Sequence, residues 1–192
     1  MKAKRTYTMR TRAAAAEATR RRILGVVETL LKSRFRSEIR LDDIAADAKV
    51  TVQTIVNIFG SRSALLGEAY ANLLQGLRAQ RLRPAPGNID GAVGALVEHY
   101  EQFGDLVARN LAEQVDPELI ETGRTGHRKW VQRQFAAFLA VKQPGKRRSL
   151  TDALVCACDV YTWKLLRRDM ARTKAETEQT ILRMVKAILG RA

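Results

Sequence analysis

The most informative part of the sequence is residues 41–66, LDDIAADAKVTVQTIVNIFGSRSALL. Gln53, Val56 and Asn57 are spaced at i, i+3 and i+4, so in a helix they share one face. Gly60 follows at i+7 and extends this stripe. Glutamine and asparagine amides can pair with adenine through two hydrogen bonds, and valine can touch a thymine methyl. The stripe therefore predicts a surface that reads bases in the major groove of DNA.

A helix that carries this stripe needs a defined start and a second helix to hold it. Thr51 is suited to cap the first turn of the reading helix. Ala45 is small enough to lie where the two helices cross, and a tight turn is expected four residues later, at Lys49. Glycine usually occupies such a turn, so Lys49 should cost about 1 kcal/mol there. It would also place a cation beside the DNA backbone.

Apolar residues on the opposite faces of this segment would hold the helix pair together: Ile44, Ala48, Val50, Ile55, Ile58 and Phe59. Thr54 and Arg62 are suited to phosphate contacts, which position a protein on DNA. The full set predicted to contact DNA is Lys49, Thr51, Val52, Gln53, Thr54, Val56, Asn57 and Arg62. The alternative interpretation is an ordinary helix pair with a polar outer face.

The charge distribution favours the same end of the chain. The 192 residues carry a net charge of +14, and the sequence pI is about 10.5. Residues 1–62 hold 14 basic and 6 acidic residues, whereas residues 63–192 hold 20 and 14. The excess is concentrated where a polyanion would bind, and residues 1–10 are predicted to form a mobile basic arm. A solubilising surface is the alternative explanation of the charge.

Several other classes of function find little support. No apolar run approaches the roughly 18 residues of a membrane span, and no signal-peptide core follows the N-terminus, so the chain is expected to be cytoplasmic. Cys156 and Cys158 suit buried thiols better than a disulfide, and with His99 and His127 they form no metal-ligand spacing. No metal and no cofactor are expected. Catalytic motifs are absent from the sequence, so we expect no enzyme unless scattered residues assemble a site.

The elements that must position the reading helix are predicted to be helices nearly throughout, which defines an all-α fold. Residues 1–66 should form a three-helix helix-turn-helix domain with its basic arm, and residues 67–192 a second helical domain. The first helix has one apolar face between Ile23 and Leu31, and helices follow near 41–48 and 51–59 and after Ser61.

The second domain is punctuated by turn and cap signals. RLRPAPGNID, residues 81–90, predicts a loop with Asp90 as the next cap, and Asp116 with Pro117 predicts a helix start. That helix should break near Gly123 and Gly126 and resume through Trp130 to Leu139. QPGKRR predicts a further loop. Two capping-box patterns should open the last helices, at 150–171 and 174–190: Ser149 with Asp152, and Thr173 with Glu176.

The sequence resembles the TetR (tetracycline-repressor) family of bacterial regulators. The resemblance rests on TRRRIL at 19–24 and FGSRSALL at 59–66, and more loosely on VYTWKLLRRDM at 160–170. It departs from the family pattern at Lys49, at Val56 where many members carry tyrosine, and at Ile58 where many carry histidine. The resemblance implies a homodimer on a palindromic double-stranded DNA operator, a C-terminal effector-binding and dimerisation domain, and repression as the default mode.

In that second domain the aromatic residues are the candidates for the wall of an effector pocket: Tyr100, Phe103, Trp130, Phe135 and Trp163. The alternative is that they form the ordinary core, and the sequence does not identify the small-molecule effector. Two apolar faces are candidates for dimerisation or for the same core: Leu150, Ala153, Leu154, Ala157, Val160 and Tyr161 on one, and Ile181, Met184, Val185, Ile188 and Leu189 on the other.

The sequence thus predicts a DNA-binding transcriptional regulator with no membrane partner. Two further alternatives remain open at this stage. A nucleoid-type protein would use the net charge of +14 to bind nucleic acid without sequence preference. A protein-interaction bundle would keep a helix-turn-helix that no longer functions.

Overall fold

The structure, a computed structural model, describes residues 2–113, 117–140 and 143–190. Within these ranges the chain is helical and contains no strand, which confirms the predicted all-α class. The chain divides into two compact units, Met1–Gln75 and Gly76–Ala192, which we call the N-terminal and C-terminal units. The division falls inside a helix. The prediction that residues 1–66 form the DNA-binding domain concerns function, and this division leaves it a prediction.

The helices of the described ranges are α1 Lys2–Ser33, α2 Leu41–Ala48, α3 Val52–Phe59, α4 Arg62–Arg81, α5 Ile89–Glu113, α6 Pro117–Gln134, α7 Ala136–Leu139, α8 Pro144–Ala157, α9 Val160–Lys164 and α10 Lys174–Ile188. A 3₁₀ turn, Arg36–Glu38, precedes α2. A π-helical turn, Leu165–Asp169, continues α9.

The N-terminal helix is longer than the sequence predicted. We expected residues 1–10 to be a mobile arm. In the structure α1 already begins at Lys2, so this segment is helical, and its mobility stays a prediction. The segment lacks proline, contains no glycine before Gly25, and includes the alanines at 13–16. Alanine, arginine, lysine and methionine all favour helix, so the basic segment can extend the first helix.

The core of the N-terminal unit forms where the predicted apolar faces meet. Ile23, Val27 and Leu31 on α1 are fully buried, as are Ile44 on α2 and Leu65 on α4. Removing this apolar surface from water fixes α2 and α3 against the longer helices, because eight-residue helices have little stability of their own. The helix-turn-helix is therefore held by its neighbours.

Two boundary predictions, for the start of α5 and the middle of α6, are wrong. Asn88, rather than Asp90, caps α5, with its Oδ1 accepting a 2.9 Å hydrogen bond from the Gly91 N–H. Gly123 does not break α6, and neither does Gly126, because the helix runs unbroken from Pro117 to Gln134. The interior of a long helix tolerates glycine at about 1 kcal/mol each. The predicted cap Asp116 lies outside the described residues.

The segment QPGKRR is also not a loop. Pro144 stands in the first turn of α8, where proline needs no amide hydrogen, and the helix continues through Ser149. The capping box predicted for Ser149 and Asp152 is therefore wrong. α7 and α8 are separate short elements, and the helix predicted over 150–171 ends at Ala157. Asp159 then caps α9, with its Oδ1 2.9 Å from the Tyr161 nitrogen.

The last capping box is confirmed. Thr173 Oγ1 accepts a 3.2 Å hydrogen bond from the Glu176 N–H, and Glu176 Oε2 accepts one of 2.8 Å from the Thr173 N–H. α10 starts at the next residue, Lys174, as predicted. Reciprocal caps of this kind satisfy two amide groups that the first turn would otherwise leave without partners.

The core of the C-terminal unit is organised around Trp163, which is fully buried. Its ring lies directly against Gly104 of α5, where any Cβ would overlap it. Its Nε1 donates a 2.8 Å hydrogen bond to Glu101 Oε1. Arg167 binds both oxygens of the same carboxylate, at 2.7 and 2.8 Å, and holds the pKa of Glu101 below its usual value. α5 and α9 are thus joined by packing and by charge.

None of the described helices is long and apolar enough to cross a lipid bilayer.

Candidate nucleic-acid interface

The stripe predicted to read bases lies on α3, and local contacts fix where this helix starts. Thr51 caps it, with its Oγ1 accepting a 3.1 Å hydrogen bond from the Thr54 N–H. The two hydroxyl groups of Thr51 and Thr54 also lie 2.9 Å apart. Ile55 and Phe59 on the inner face are buried. The cap and the two anchors together set the axial position and rotation of the helix.

The turn before α3 has the left-handed backbone that its position in the motif predicts. Lys49 has φ 52° and ψ 51°, and its N–H donates to the Ala46 carbonyl at 3.2 Å. The Val50 N–H reaches back to the Ala45 carbonyl at 3.0 Å. A side chain in this conformation costs about 1 kcal/mol. Lys49 is exposed, so its charge is available to a partner.

Two exposed amide side chains lie side by side on the outer face of α3. Gln53 Nε2 donates a 2.8 Å hydrogen bond to Asn57 Oδ1, one helical turn away. Val56, between them, is half-buried. Gly60, the last residue of the predicted stripe, is the helix C-cap, with φ 78° and its N–H 2.8 Å from the Val56 carbonyl. The stripe is thus two amides and one apolar side chain, ended by a glycine turn.

The remaining predicted contact residues have different surroundings. Val52 and Thr54 are half-buried at the start of α3. Arg62 is half-buried and occupied: its Nε donates to the Ile39 carbonyl at 2.7 Å, and a terminal nitrogen donates to the Arg36 carbonyl. It braces the turn before α2, so the geometry gives it a structural task. Its predicted phosphate contact stays untested.

Sequence reasoning missed two arginines of α1 that position the motif. Arg22 Nε donates a 2.8 Å hydrogen bond to the Ala48 carbonyl at the end of α2. Arg20 binds both oxygens of Glu68, at 2.6 and 2.7 Å, and lies 4.5 Å from the centre of the Phe59 ring. Both belong to the segment TRRRIL, which the sequence analysis used for the family resemblance without assigning a role to either arginine. The signal available was the position of Arg20, three and seven residues before Ile23 and Val27 and so in line with the apolar face.

The aromatic residues predicted to wall a pocket are mostly core. Tyr100, Trp130, Phe135 and Trp163 are at least 95% buried, and Phe103 is half-buried. The polar edges of the first two are used internally: Tyr100 OH donates to the Cys158 carbonyl at 3.0 Å, and Trp130 Nε1 to the Arg81 carbonyl at 3.0 Å. Their role in effector binding is not tested by this packing.

The apolar faces considered for dimerisation are also partly used within the chain. Ile181 and Val185 of α10 are fully buried in the core, and Leu154 of α8 is too. Tyr161 and Leu165 are instead 54% and 51% exposed, and they are four residues apart on α9 and its π-helical continuation. A pair of large exposed apolar side chains one turn apart is a candidate contact for a second copy.

The fold has a counterpart among solved structures. The crystal structure of a TetR-family transcriptional regulator from Streptomyces coelicolor matches this chain with a TM-score of 0.73 and 17% sequence identity, over 90% of this chain and 80% of that one. Neither a protein-family model nor a curated protein matches the chain. The chain therefore has the fold of a TetR-family regulator, and the resemblance seen at 19–24 and 59–66 is confirmed at the level of fold.

Proposed function

We propose that this chain is a homodimeric transcriptional regulator that binds a palindromic DNA operator through α3 and is released by a small-molecule effector. The observation that carries the proposal is the exposed pair Gln53 and Asn57 on a capped helix of a TetR-type fold. The hydrogen-bonded pair leaves Gln53 Oε1 and Asn57 Nδ2 free for the edge of a base, where amides recognise adenine. Repression follows if the dimer occupies a promoter, because it would block polymerase without further contacts.

The pairing of the two amides favours reading as a unit. Each amide in the hydrogen-bonded pair keeps one polar end free, so the pair presents an acceptor and a donor in a fixed order. Lys49 and the hydroxyl groups of Thr51 and Thr54 lie at the N-terminal end of the same helix, where phosphate contacts are favoured by the helix dipole. Backbone contacts would set the register, and the amides would select the sequence.

Selection of random duplex DNA by the purified chain tests the proposal. We expect enrichment of a palindrome whose two half-sites are about one helical turn, or a multiple of it, apart. Recovery of unrelated sequences would contradict the proposal.

The net charge of +14 favours the second candidate, a nucleic-acid-binding protein without sequence preference. Under that candidate, affinity would fall steeply with salt on every duplex, cognate or scrambled, because it would rest on counterion release. Under the proposal, the selected palindrome keeps a higher affinity than scrambled DNA at every salt concentration. Competition binding with the two duplexes therefore separates the candidates.

A further inference from the structure

The C-terminal unit contains a cation that forms no salt bridge with any described carboxylate, although the charge of Asp159 acts on it from a greater distance. Arg81, at the end of α4, forms no ion pair with any described carboxylate, and its Nε is enclosed without a described hydrogen-bond partner. One terminal nitrogen lies 3.0 Å from His127 Nδ1, and the guanidinium lies 4.5 Å from the centre of the Trp130 ring. Enclosing a charge without a counter-charge is costly.

Hydrogen bonding fixes the protonation of His127. Its Nε2 lies 3.2 Å from the Val155 carbonyl, which can only accept, so Nε2 carries the proton. Nδ1 is then a lone pair that accepts from Arg81. Burial, followed by the charge of Arg81, lowers the pKa of His127 to about 4. The neutral imidazole therefore orients the guanidinium without neutralising it.

A second histidine adds to the cluster from α5. His99 is 5% exposed, and its Nδ1 is enclosed without a described partner. Burial, then the charges of Arg81 and His127, lower its pKa to about 3. Gln134 Oε1 is likewise enclosed without a described partner. Two helices, α5 and α6, thus contribute polar atoms that lack described partners to the surroundings of one positive charge on α4.

We propose that this Arg81 cluster binds the carboxylate group of an organic anion with an apolar body. A guanidinium pairs with a carboxylate through parallel N–H donors, and the Arg81 Nε–H, which has no described partner, is one such donor. The apolar body follows from the neighbours Tyr100 and Trp130, whose own polar edges are already used. Both histidines are neutral, so the cluster carries one positive charge, and nearby Asp159 disfavours a second negative charge. A monoanion balances the site.

The inference deepens the proposed function, on which it rests, by giving the chemical class of the effector. The carboxylate would take the place of the missing counter-ion, so its binding would relieve the cost of the enclosed guanidinium. The structural alternative is that Arg81 only ties the end of α4 to α6 through His127 and Trp130. That alternative predicts a contribution to stability and no preference for anions.

The experiment uses the full chain with benzoate and octanoate, each compared with its matched neutral amide. We expect at least one carboxylate to raise the melting temperature in a saturable way that its amide does not. Arg81→Met should weaken carboxylate binding at least about tenfold, since a charged hydrogen bond is lost. Arg148→Met, at an exposed arginine of α8, should leave binding unchanged. Equal effects of acids and amides, or a preference that survives Arg81→Met, would overturn the inference.

A measurement on the unaltered chain covers the case in which Arg81→Met does not fold. The ring protons of His99 and His127 report a charge beside them by nuclear magnetic resonance. At pH 7, where benzoate and octanoate are ionised, a carboxylate bound at Arg81 should shift the ring-proton resonances of both histidines in a saturable way, whereas the amide should not. Unchanged resonances at saturating carboxylate would overturn the inference. If the carboxylate binds at Arg81 but does not release the chain from DNA, that result would count against the proposed function alone.

Discussion

The N-terminal unit and the Arg81 cluster of the C-terminal unit use arginine in different ways. In the N-terminal unit, Arg20 meets a carboxylate, and Arg22 and Arg62 donate to backbone carbonyls at helix ends. In the C-terminal unit, Arg81 is enclosed with a neutral histidine and an indole ring. The first arrangement satisfies each charge and stiffens a small module. The second leaves a charge whose environment a bound molecule can change.

The comparison extends to the way each unit is packed. The helix-turn-helix consists of two eight-residue helices whose position depends on caps and braces. The C-terminal unit includes helices of up to 25 residues around large buried aromatic side chains, and burial lowers the pKa of its two histidines well below the usual value. A rigid reading surface and a responsive domain are the two parts that an effector-controlled regulator requires. Five predictions test these differences between the two units.

The largest expected effect concerns assembly. Leu165→Glu should place a charge in the proposed contact between two copies and yield monomers, which would lose nearly all operator affinity because both half-sites are no longer engaged together. Sedimentation and DNA binding measure the two effects. Leu82→Glu is the matched control, since Leu82 is also exposed, at 43%, on the same unit. A dimeric Leu165→Glu variant would place the interface elsewhere.

The next effect concerns packing in the C-terminal unit. Gly104→Ala should destabilise this unit by about 1–3 kcal/mol or more, because the new methyl group overlaps the Trp163 ring and the core must shift. Gly126→Ala is the control, because nothing lies within 4 Å of a Cβ there and helix propensity favours alanine. The free energy of unfolding, measured by chemical denaturation, should therefore fall in Gly104→Ala and rise in Gly126→Ala. A neutral Gly104→Ala would show that the contact is easily relieved.

The reading surface of the N-terminal unit gives a similar magnitude in a different measurement. Gln53→Ala and Asn57→Ala should each weaken binding to the selected palindrome by about 1–3 kcal/mol and relax the preference at particular bases. Stability should hardly change, because both side chains are exposed. Gln179→Ala, at an exposed glutamine of α10, is the control. Equal losses on palindromic and scrambled DNA would mean that neither amide reads sequence.

The pH dependence of stability should come from the C-terminal unit. The folded chain keeps His99 and His127 neutral down to pH about 3 and about 4, whereas an unfolded chain protonates its histidines below about 6.5. Stability should thus be complete above pH 6.5 and fall as the pH drops, by up to about 1.4 kcal/mol per pH unit for each histidine. Thermal melts of His99→Phe/His127→Gln should show a flatter slope between about pH 6.5 and pH 5, above the range where carboxylates titrate. An unchanged slope would contradict this source.

The smallest effect concerns the left-handed turn. Lys49→Gly should stabilise the N-terminal unit by about 0.5–1 kcal/mol, because glycine adopts φ 52° without strain. It should also weaken DNA binding and reduce its salt dependence, because one cation per chain is lost. Lys49→Asn separates the two effects, since asparagine tolerates the same backbone but carries no charge. A loss of stability in Lys49→Gly would refute the strain.

Much of the N-terminal unit was predictable because its signals are local. The Thr51 hydroxyl accepts a hydrogen bond from the amide of Thr54, three residues later, and the turn at Lys49 lies four residues after Ala45. The predictions were wrong where a residue that usually starts or ends a helix lies inside a longer helix. Gly123 and Gly126 remain helical because the surrounding turns continue the hydrogen bonding, and Ser149 stands inside α8 although its pattern is that of a cap. The basic segment at the start of α1 is helical because basic residues with alanines are themselves good helix formers.

From the sequence we could predict the all-α class, the position of α3, its cap and the amide stripe, because these depend on residues within one or two helical turns. The tertiary structure alone decided which arginines brace the motif and which one is enclosed. Arg81 and His127 are 46 residues apart, and Arg22 meets a carbonyl 26 residues away. Such contacts depend on how helices pack, and no local spacing encodes them. The close approach of Trp163 to Gly104 is a further example. The sequence around a helical glycine does not indicate which distant side chain packs against it.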